Sequence, residues 1–400
     1  MSSTKIERNN RTWLSYGFLC CYAFFLNLPG PINGFLKGEF KLDYAMLSLH
    51  ASAFALGMVI SGVFGHHLIK RLTHWQGLAL GTIGLGVGGM MVAFGQSPFL
   101  TISGLFLNGL VGTLILSIYP NILREEMGEN QSVGITEANV FAAVFSTLAP
   151  LVVGFSAAWF KSWRPLVVVA SILVSLIGLT ALFLKRGNRN LTSPDLSTVK
   201  AHEKLTLKYW FFWVGLFLGV SVEFCTIYFA SLYSESILNL NPTQAAQAVS
   251  LFLAGGIVGR TIVSKLVKPS NRLWIVVISL LLAATGFGLL WWAPSIWVAL
   301  TGLALMGFGV SNFYPMILSL ALDASAGNEK LASSRATLAS GIAILCLPLL
   351  LGVLADQLGI WLGFGLVGVL LVLLSGVLRV ATRINDQVPF RRSTLKRWYL

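Results

Sequence analysis

Charge is what this sequence has least of. Aspartate and glutamate together number 15 in 400 residues, and charged residues of all kinds make up 11% of the chain, against roughly a quarter in an average soluble protein. That shortfall excludes an ordinary water-facing globule. Cysteine is sparse as well. Cys20, Cys21, Cys225 and Cys346 all lie in apolar stretches without metal-ligand spacing, so they read as small buried hydrophobes. His50, His66, His67 and His74 fall near the ends of apolar runs, and no metal site is assigned to them. No ATP-binding motif is found, which leaves a gradient as the source of energy, and no cofactor is expected. A membrane-embedded enzyme would need a nucleophile with its base, or a metal cluster, converging from several segments. No such set is seen. Long polar runs are missing with one exception, Lys185 to Lys208, near the midpoint.

What the chain does contain is apolar runs. Hydrophobic residues account for 56% of it, and the mean hydropathy is +0.77. A helix needs about 20 mainly apolar residues to cross the hydrocarbon core. By that measure the sequence predicts twelve spans, at 12–36, 45–69, 74–96, 99–123, 132–159, 164–184, 209–234, 243–267, 272–292, 296–322, 331–355 and 360–382. The expected organisation is a six-helix bundle over 1–184, a linker at 185–208, a second six-helix bundle over 209–384 and a basic tail at 385–400.

The two flanks of the linker repeat each other. Gly104 and Gly302, Gly109 and Gly307, Pro150 and Pro348, and Gly154 and Gly352 each lie 198 residues apart, and Tyr119-Pro120 recurs as Tyr314-Pro315. A duplicated bundle explains this spacing.

The formal net charge of +13 raises nucleic acid as a partner, but its distribution argues for membrane topology instead. Lysine and arginine concentrate in both tails and in alternate loops, which marks the cytoplasmic side. Both termini and the linker are therefore expected to be cytoplasmic. The expected setting is a multi-pass protein of a bacterial inner (plasma) membrane. Its expected partners are the lipid bilayer, a small-molecule solute and protons, with no nucleic acid, and its expected unit is a monomer.

Gly77 to Gly89 includes GLGVGG, part of a dinucleotide fingerprint, but it lacks the flanking strand that such a site needs. Inside an apolar helix it reads as close backbone packing. Pro29, Pro31, Pro120, Pro150, Pro315 and Pro348 are expected to break or kink spans where backbone groups face a cavity.

Two six-helix halves joined by a basic loop resemble the major facilitator superfamily of secondary transporters. Its Gly-x-x-x-Asp-Arg-x-Gly-Arg-Arg signature is matched by Gly62 through Arg71 at the first glycine and the closing Lys70-Arg71. His66 stands in place of the acid and Ile69 in place of the second glycine. The equivalent in the second half is Gly259-Arg260 followed by Ser264-Lys265 and Lys268. The resemblance implies an all-α fold with a pseudo-twofold axis along the membrane normal, a solute site between the halves at the midplane, and alternating access.

Two branches are worth comparing. Drug antiporters carry an arginine in helix 4 and a Gly-Pro-x-x-Gly-Gly stretch, where this chain has Gly104 or Leu105 and Ala149 through Gly154. GVSVEFCTIYFASLY around Glu223, Gly259-Arg260, FYPMILSL and GVLADQLG are similar to the fucose-permease-like sugar:proton symporters. Their carboxylates in helices 1 and 4 correspond here to Asn27 and Asn108.

An ionisable group within a span is costly and so marks a functional candidate. Glu223 falls near the middle of span seven and is the expected proton-coupling and substrate-binding acid, because burial disfavours the charged form of a carboxyl. Glu137 and Arg335 occupy equivalent positions in the two halves. They are expected either to pair as a gate, Glu137 also taking part in proton coupling, or to reach water from shallow positions. Arg260 either neutralises an anionic group or belongs with His66 to the loop signature and its gate. Asn27, Asn33, Asn108, Tyr119, Asn312 and Tyr314 carry amide and phenol groups that bond hydroxyls in both directions, the pattern expected of a cavity for a sugar-like or other hydroxylated solute. The leading expectation is proton-coupled symport of such a solute. The alternative is proton-driven efflux of amphipathic compounds.

Overall fold

A computed structural model describes residues 8–69, 72–183, 205–268 and 270–384, without the side chains of residues 66–69, 129, 132 and 330. Most of the linker and the tail at 385–400 lie outside the described residues.

The first half holds α1 (Asn10–Leu26), α2 (Pro29–Phe40), α3 (Tyr44–Ile69), α4 (His74–Phe94), α5 (Pro98–Met127), α6 (Gln131–Phe160) and α7 (Arg164–Phe183). The second holds α8 (Leu207–Ser236), α9 (Pro242–Leu266), α10 (Arg272–Trp291), α11 (Ile296–Val310), α12 (Phe313–Asp323), α13 (Glu329–Leu358) and α14 (Ile360–Arg383). Among the described residues these make twelve candidate spans, with α1 and α2 sharing the first and α11 and α12 the tenth. Local sequence sets several starts. Thr73 with Gln76, and Asn241 with Gln244, form reciprocal capping boxes at the heads of α4 and α9, which satisfy backbone donors left free there.

Proline divides the spans unequally. Pro29 and Pro31 have no N–H to offer, and the chain turns out of α1 at Asn27 and re-enters a helix at Pro29. A second break falls at Ser311-Asn312, four residues before Pro315. Pro120, Pro150 and Pro348 do not break their spans. They lie inside the continuous helices α5, α6 and α13, as proline can within a membrane span.

The duplication is visible at the level of atoms. A methyl group on Gly104 would sit 2.6 Å from the carbonyl oxygen of Gly88, and one on Gly302 would sit 2.7 Å from that of Gly286. Gly109 packs on the backbone of Phe54 and Gly307 on that of Phe252 in the same way. Each partner obeys the 198-residue offset. The α3–α5 crossing therefore reappears as α9–α11, and α4–α5 as α10–α11, each allowed by small residues that let backbones touch. Leucine at Gly109 or at Gly307 is expected to destabilise to a similar degree, by about 1–3 kcal/mol, read as a lower thermal midpoint in detergent. Parental stability in either variant would count against these crossings.

The halves meet through α2 on α8, α3 on α13 and α6 on α9. The hydrogen bonds described between them all lie away from the face that carries the start of α1 and the end of α14. Asn33 Nδ2 donates to Tyr228 O (2.9 Å), Ser231 Oγ to Gly30 O (2.7 Å) and Ser52 Oγ to Leu345 O (2.7 Å). Asp356 accepts from the amides of Tyr44 and Ala45, both at 2.8 Å, capping α3 from across the interface. Among the described residues, the hydrogen bonds between the halves thus fasten the far face.

Candidate functional site

Where the halves part, a cavity of about 140 Å³ opens, close to the volume of an engineered pocket that admits benzene. Its polar lining is Asn27 and Ser146 from the first half, and Glu223, Arg260 and Ser311 from the second. Phe224, Ile227, Phe252 and Leu253 supply the apolar wall.

Three of these polar residues share a position in sequence: Asn27, Ser146 and Ser311 each precede a proline by four (Pro31, Pro150 and Pro315). A helical carbonyl four residues before proline loses its usual N–H partner. At Ser311 the consequence is explicit, because Arg260 Nε donates to that carbonyl oxygen at 3.2 Å. The same guanidinium reaches Glu223, Nη2 to Oε1 at 3.3 Å, with side chains 47% and 19% exposed. Helix break, arginine and carboxylate thus form one connected unit. On the other wall, Asn27 Nδ2 donates to Ala23 O (2.9 Å) and to Ser146 Oγ (3.1 Å).

The charges belong to one copy of the repeat. In the 198-residue register Glu223 corresponds to Phe25 and Arg260 to Gly62. The first half offers uncharged hydrogen-bonding groups and the second an ion pair.

Glu223 and Asn27 line the cavity, and Arg260 lines it as well rather than lying with the loop signature. The other expected solute contacts are placed elsewhere. Asn33 is 2% exposed and bonded across the α2–α8 interface. Asn108 is fully buried against Gly88 of α4, with neither amide atom hydrogen-bonded. Tyr119 packs with Tyr16, Leu123 and Ala138 in a separate apolar cluster. Asn312 is 1% exposed and donates to Phe308 O at 2.9 Å, within its own span. Tyr314 is set beside Ser340 of α13. The physical reason is helical phase. A polar residue within a span can face a neighbouring helix as easily as the central space, and sequence position alone does not distinguish them.

The expected Glu137–Arg335 pair is not formed either. Glu137 accepts from Arg8 Nε (2.9 Å), Arg8 Nη2 (2.5 Å) and the Tyr16 hydroxyl (2.8 Å), which ties it to its own half. Arg335 is exposed, and its carbonyl accepts from Trp213 Nε1 at 2.7 Å. Equivalent positions in the repeat do not by themselves bring α6 and α13 side chains together, and a nearer arginine takes the Glu137 carboxylate. The side chain of His66 lies outside the described residues. Ser146 and Ser311 were missed by sequence reasoning, and the available signal was their spacing to proline.

A two-bundle membrane protein whose halves together line a mid-span charged pocket has the form of a carrier for a small solute. The chain belongs to the Major Facilitator Superfamily, whose family model matches residues 16–274 and 212–395. It is a transporter, not an enzyme. A glucose/galactose transporter of Brucella abortus is 25% identical over 386 residues, covering 87% of each chain. Two solved structures share the fold. A bacterial homologue of the human lysosomal transporter Spinster, inward-facing and unoccupied, has a TM-score of 0.75 at 13% identity, over 94% of this chain and 98% of that one. A mutant of the nucleoside transporter NupG has a TM-score of 0.77 at 12% identity, over 93% and 100%.

Proposed function

We propose that this protein is a proton-coupled symporter for a small hydroxylated, sugar-like solute, working by alternating access in a bacterial inner membrane, as a monomer with cytoplasmic termini. The observation that carries the reading is the Glu223–Arg260 pair in the cavity between the halves. A carboxylate there accepts a proton when solute is bound, which weakens its hold on Arg260 and frees guanidinium donors for solute oxygens. Asn27 and Ser146 supply uncharged donors and acceptors on the facing wall, the chemistry that suits hydroxyls. Sugar transport by the Brucella abortus relative and the similarity of the α8 and α9 sequences to sugar:proton symporters support the same class. With lysine and arginine marking the cytoplasmic side, the face fastened by the inter-half hydrogen bonds is the outer one.

The test is uptake of labelled hexoses into proteoliposomes under an imposed pH gradient. Accumulation that collapses with a protonophore is expected. The apolar wall of Phe224, Ile227, Phe252 and Leu253 favours the second reading, efflux of amphipathic compounds. Competition by unrelated lipophilic cations, with no hexose uptake, would replace the first reading with the second.

A further inference from the structure

The far-face closure contains a carboxyl that no pairing accounts for. Glu235 sits in the last turn of α8, where that helix crosses α2. α2 presents Gly30 and Gly34, four apart, to α8: Gly30 meets the backbone at Ile227 and Tyr228, and Gly34 meets Glu235. Glu235 Oε2 lodges in the notch that Gly34 leaves, at 2.5 Å from where a Cβ would stand. That oxygen is shut away from solvent and has no hydrogen-bond partner. Glu235 forms none of the ion pairs found among the described residues.

Of the groups facing it, Lys37 attracts the charged form through space but makes no ion pair with it among the described residues. From α2 comes Lys37, whose ammonium lies over the ring of Tyr44, 3.7 Å from its centroid. From α3 comes Tyr44, whose hydroxyl is 3.3 Å from Ser236 Oγ. From α13 comes Asp356, whose two oxygens are taken by the amides of Tyr44 and Ala45. The first titratable residues of α9 and α14 are Arg260 and Arg379, far along those helices. A buried anionic oxygen without a donor is costly, and a neutral carboxyl is much less so.

We propose that Glu235, half-buried with one oxygen enclosed, is a proton-linked gate residue: the far face shuts over its neutral form, and opening returns the enclosed oxygen to water, where the carboxyl releases the proton. The O–H bond forms with a proton from the far-side solution and breaks to that same solution. Glu235 is thus a second proton-responsive group, distinct from the central pair. Asp356, by contrast, is a latch whose two oxygens already have donors. The proposal rests on alternating access, but not on the identity of the solute or on the role of Glu223.

The linkage has a definite sign. Closure that requires a bound proton is favoured in acid and lost as pH rises, by at most a factor of about ten per pH unit for one proton. Phe99 and Trp297 are 80% and 76% exposed, at the far-face starts of α5 and α11. Spin labels on Phe99→Cys and Trp297→Cys, with exposed Cys346 replaced by serine, report the far-face separation by pulsed electron–electron distance measurement in nanodiscs.

The short separation should dominate in acid and yield to a longer one in alkali. Glu235→Gln should hold it short throughout, reducing the pH response to less than about twofold. Gly34→Ala fills the notch and leaves the carboxyl in water in either state, so it should flatten the response too. A pH-independent parent, or an undiminished response in Glu235→Gln, overturns the proposal. A response lost in Glu223→Gln but kept in Glu235→Gln also overturns it, while leaving the central coupling site standing. A gate response intact in a protein that fails to accumulate hexose separates the two readings in the other direction.

Discussion

Glutamine at Glu223 is expected to abolish pH-gradient-driven accumulation while leaving solute exchange largely intact. The amide keeps the shape of the side chain and can still face Arg260, so the cavity stays formed and solute still exchanges across it. What it cannot do is take and release a proton. For one coupled proton, a gradient of one pH unit supports at most about tenfold accumulation. The variant should fall to equal concentrations on both sides. Counterflow of labelled solute, run beside gradient-driven uptake in the same vesicles, reads both quantities. Accumulation and exchange surviving together would remove Glu223 from the coupling role. Alanine at Arg260 should be harsher, losing exchange as well, because it strips the mostly buried Glu223 carboxylate of its counter-charge and leaves the Ser311 carbonyl without its donor.

Leucine at Gly30 is the second large effect. A Cβ at that position would lie 3.0 Å from the carbonyl carbon of Ile227 and 3.3 Å from the Cα of Tyr228. These are backbone atoms, and they cannot turn aside as a side-chain end can. The bulk also separates the Gly30 carbonyl from the Ser231 hydroxyl. Overpacking of this kind costs roughly 1–3 kcal/mol, but it falls only on the conformation in which the far face is shut. The folded state should therefore persist while the closed population drops about 10- to 100-fold. Transport should fall with it, and the spin-label separation across the far face should lengthen. Gly38 lies two turns further along α2, with nothing within 4 Å of its missing Cβ, so leucine there should be tolerated. Near-parental transport in Gly30→Leu, or equal damage from Gly38→Leu, would show that the α2–α8 approach is not a gate.

The spans were legible because apolar length alone decides membrane insertion. Each predicted segment overlaps a helix, and the departures are at ends, such as the first span running to Phe40. The duplication was legible because the same close crossings demand glycine at the same places in both copies. Glu223 stood out because an acid in a long apolar run has few bland explanations. Arg260 was harder to read. Its distance from the end of α9 suggested a loop neighbour, and only the break at Ser311, brought about by Pro315, gave its side chain an inward destination.

Length, hydropathy and the 198-residue repeat by themselves determined that this chain is a twelve-span, two-bundle membrane protein with a rare mid-span acid. Those properties depend on the solvent and on local backbone demands, which every residue registers independently. The tertiary structure alone decided which polar side chains share a cavity, that Glu137 bonds Arg8 instead of Arg335, and that Glu235 is enclosed against Gly34. Each of these depends on helical phase and on how two rigid halves are tilted, and neither quantity is written into any one segment.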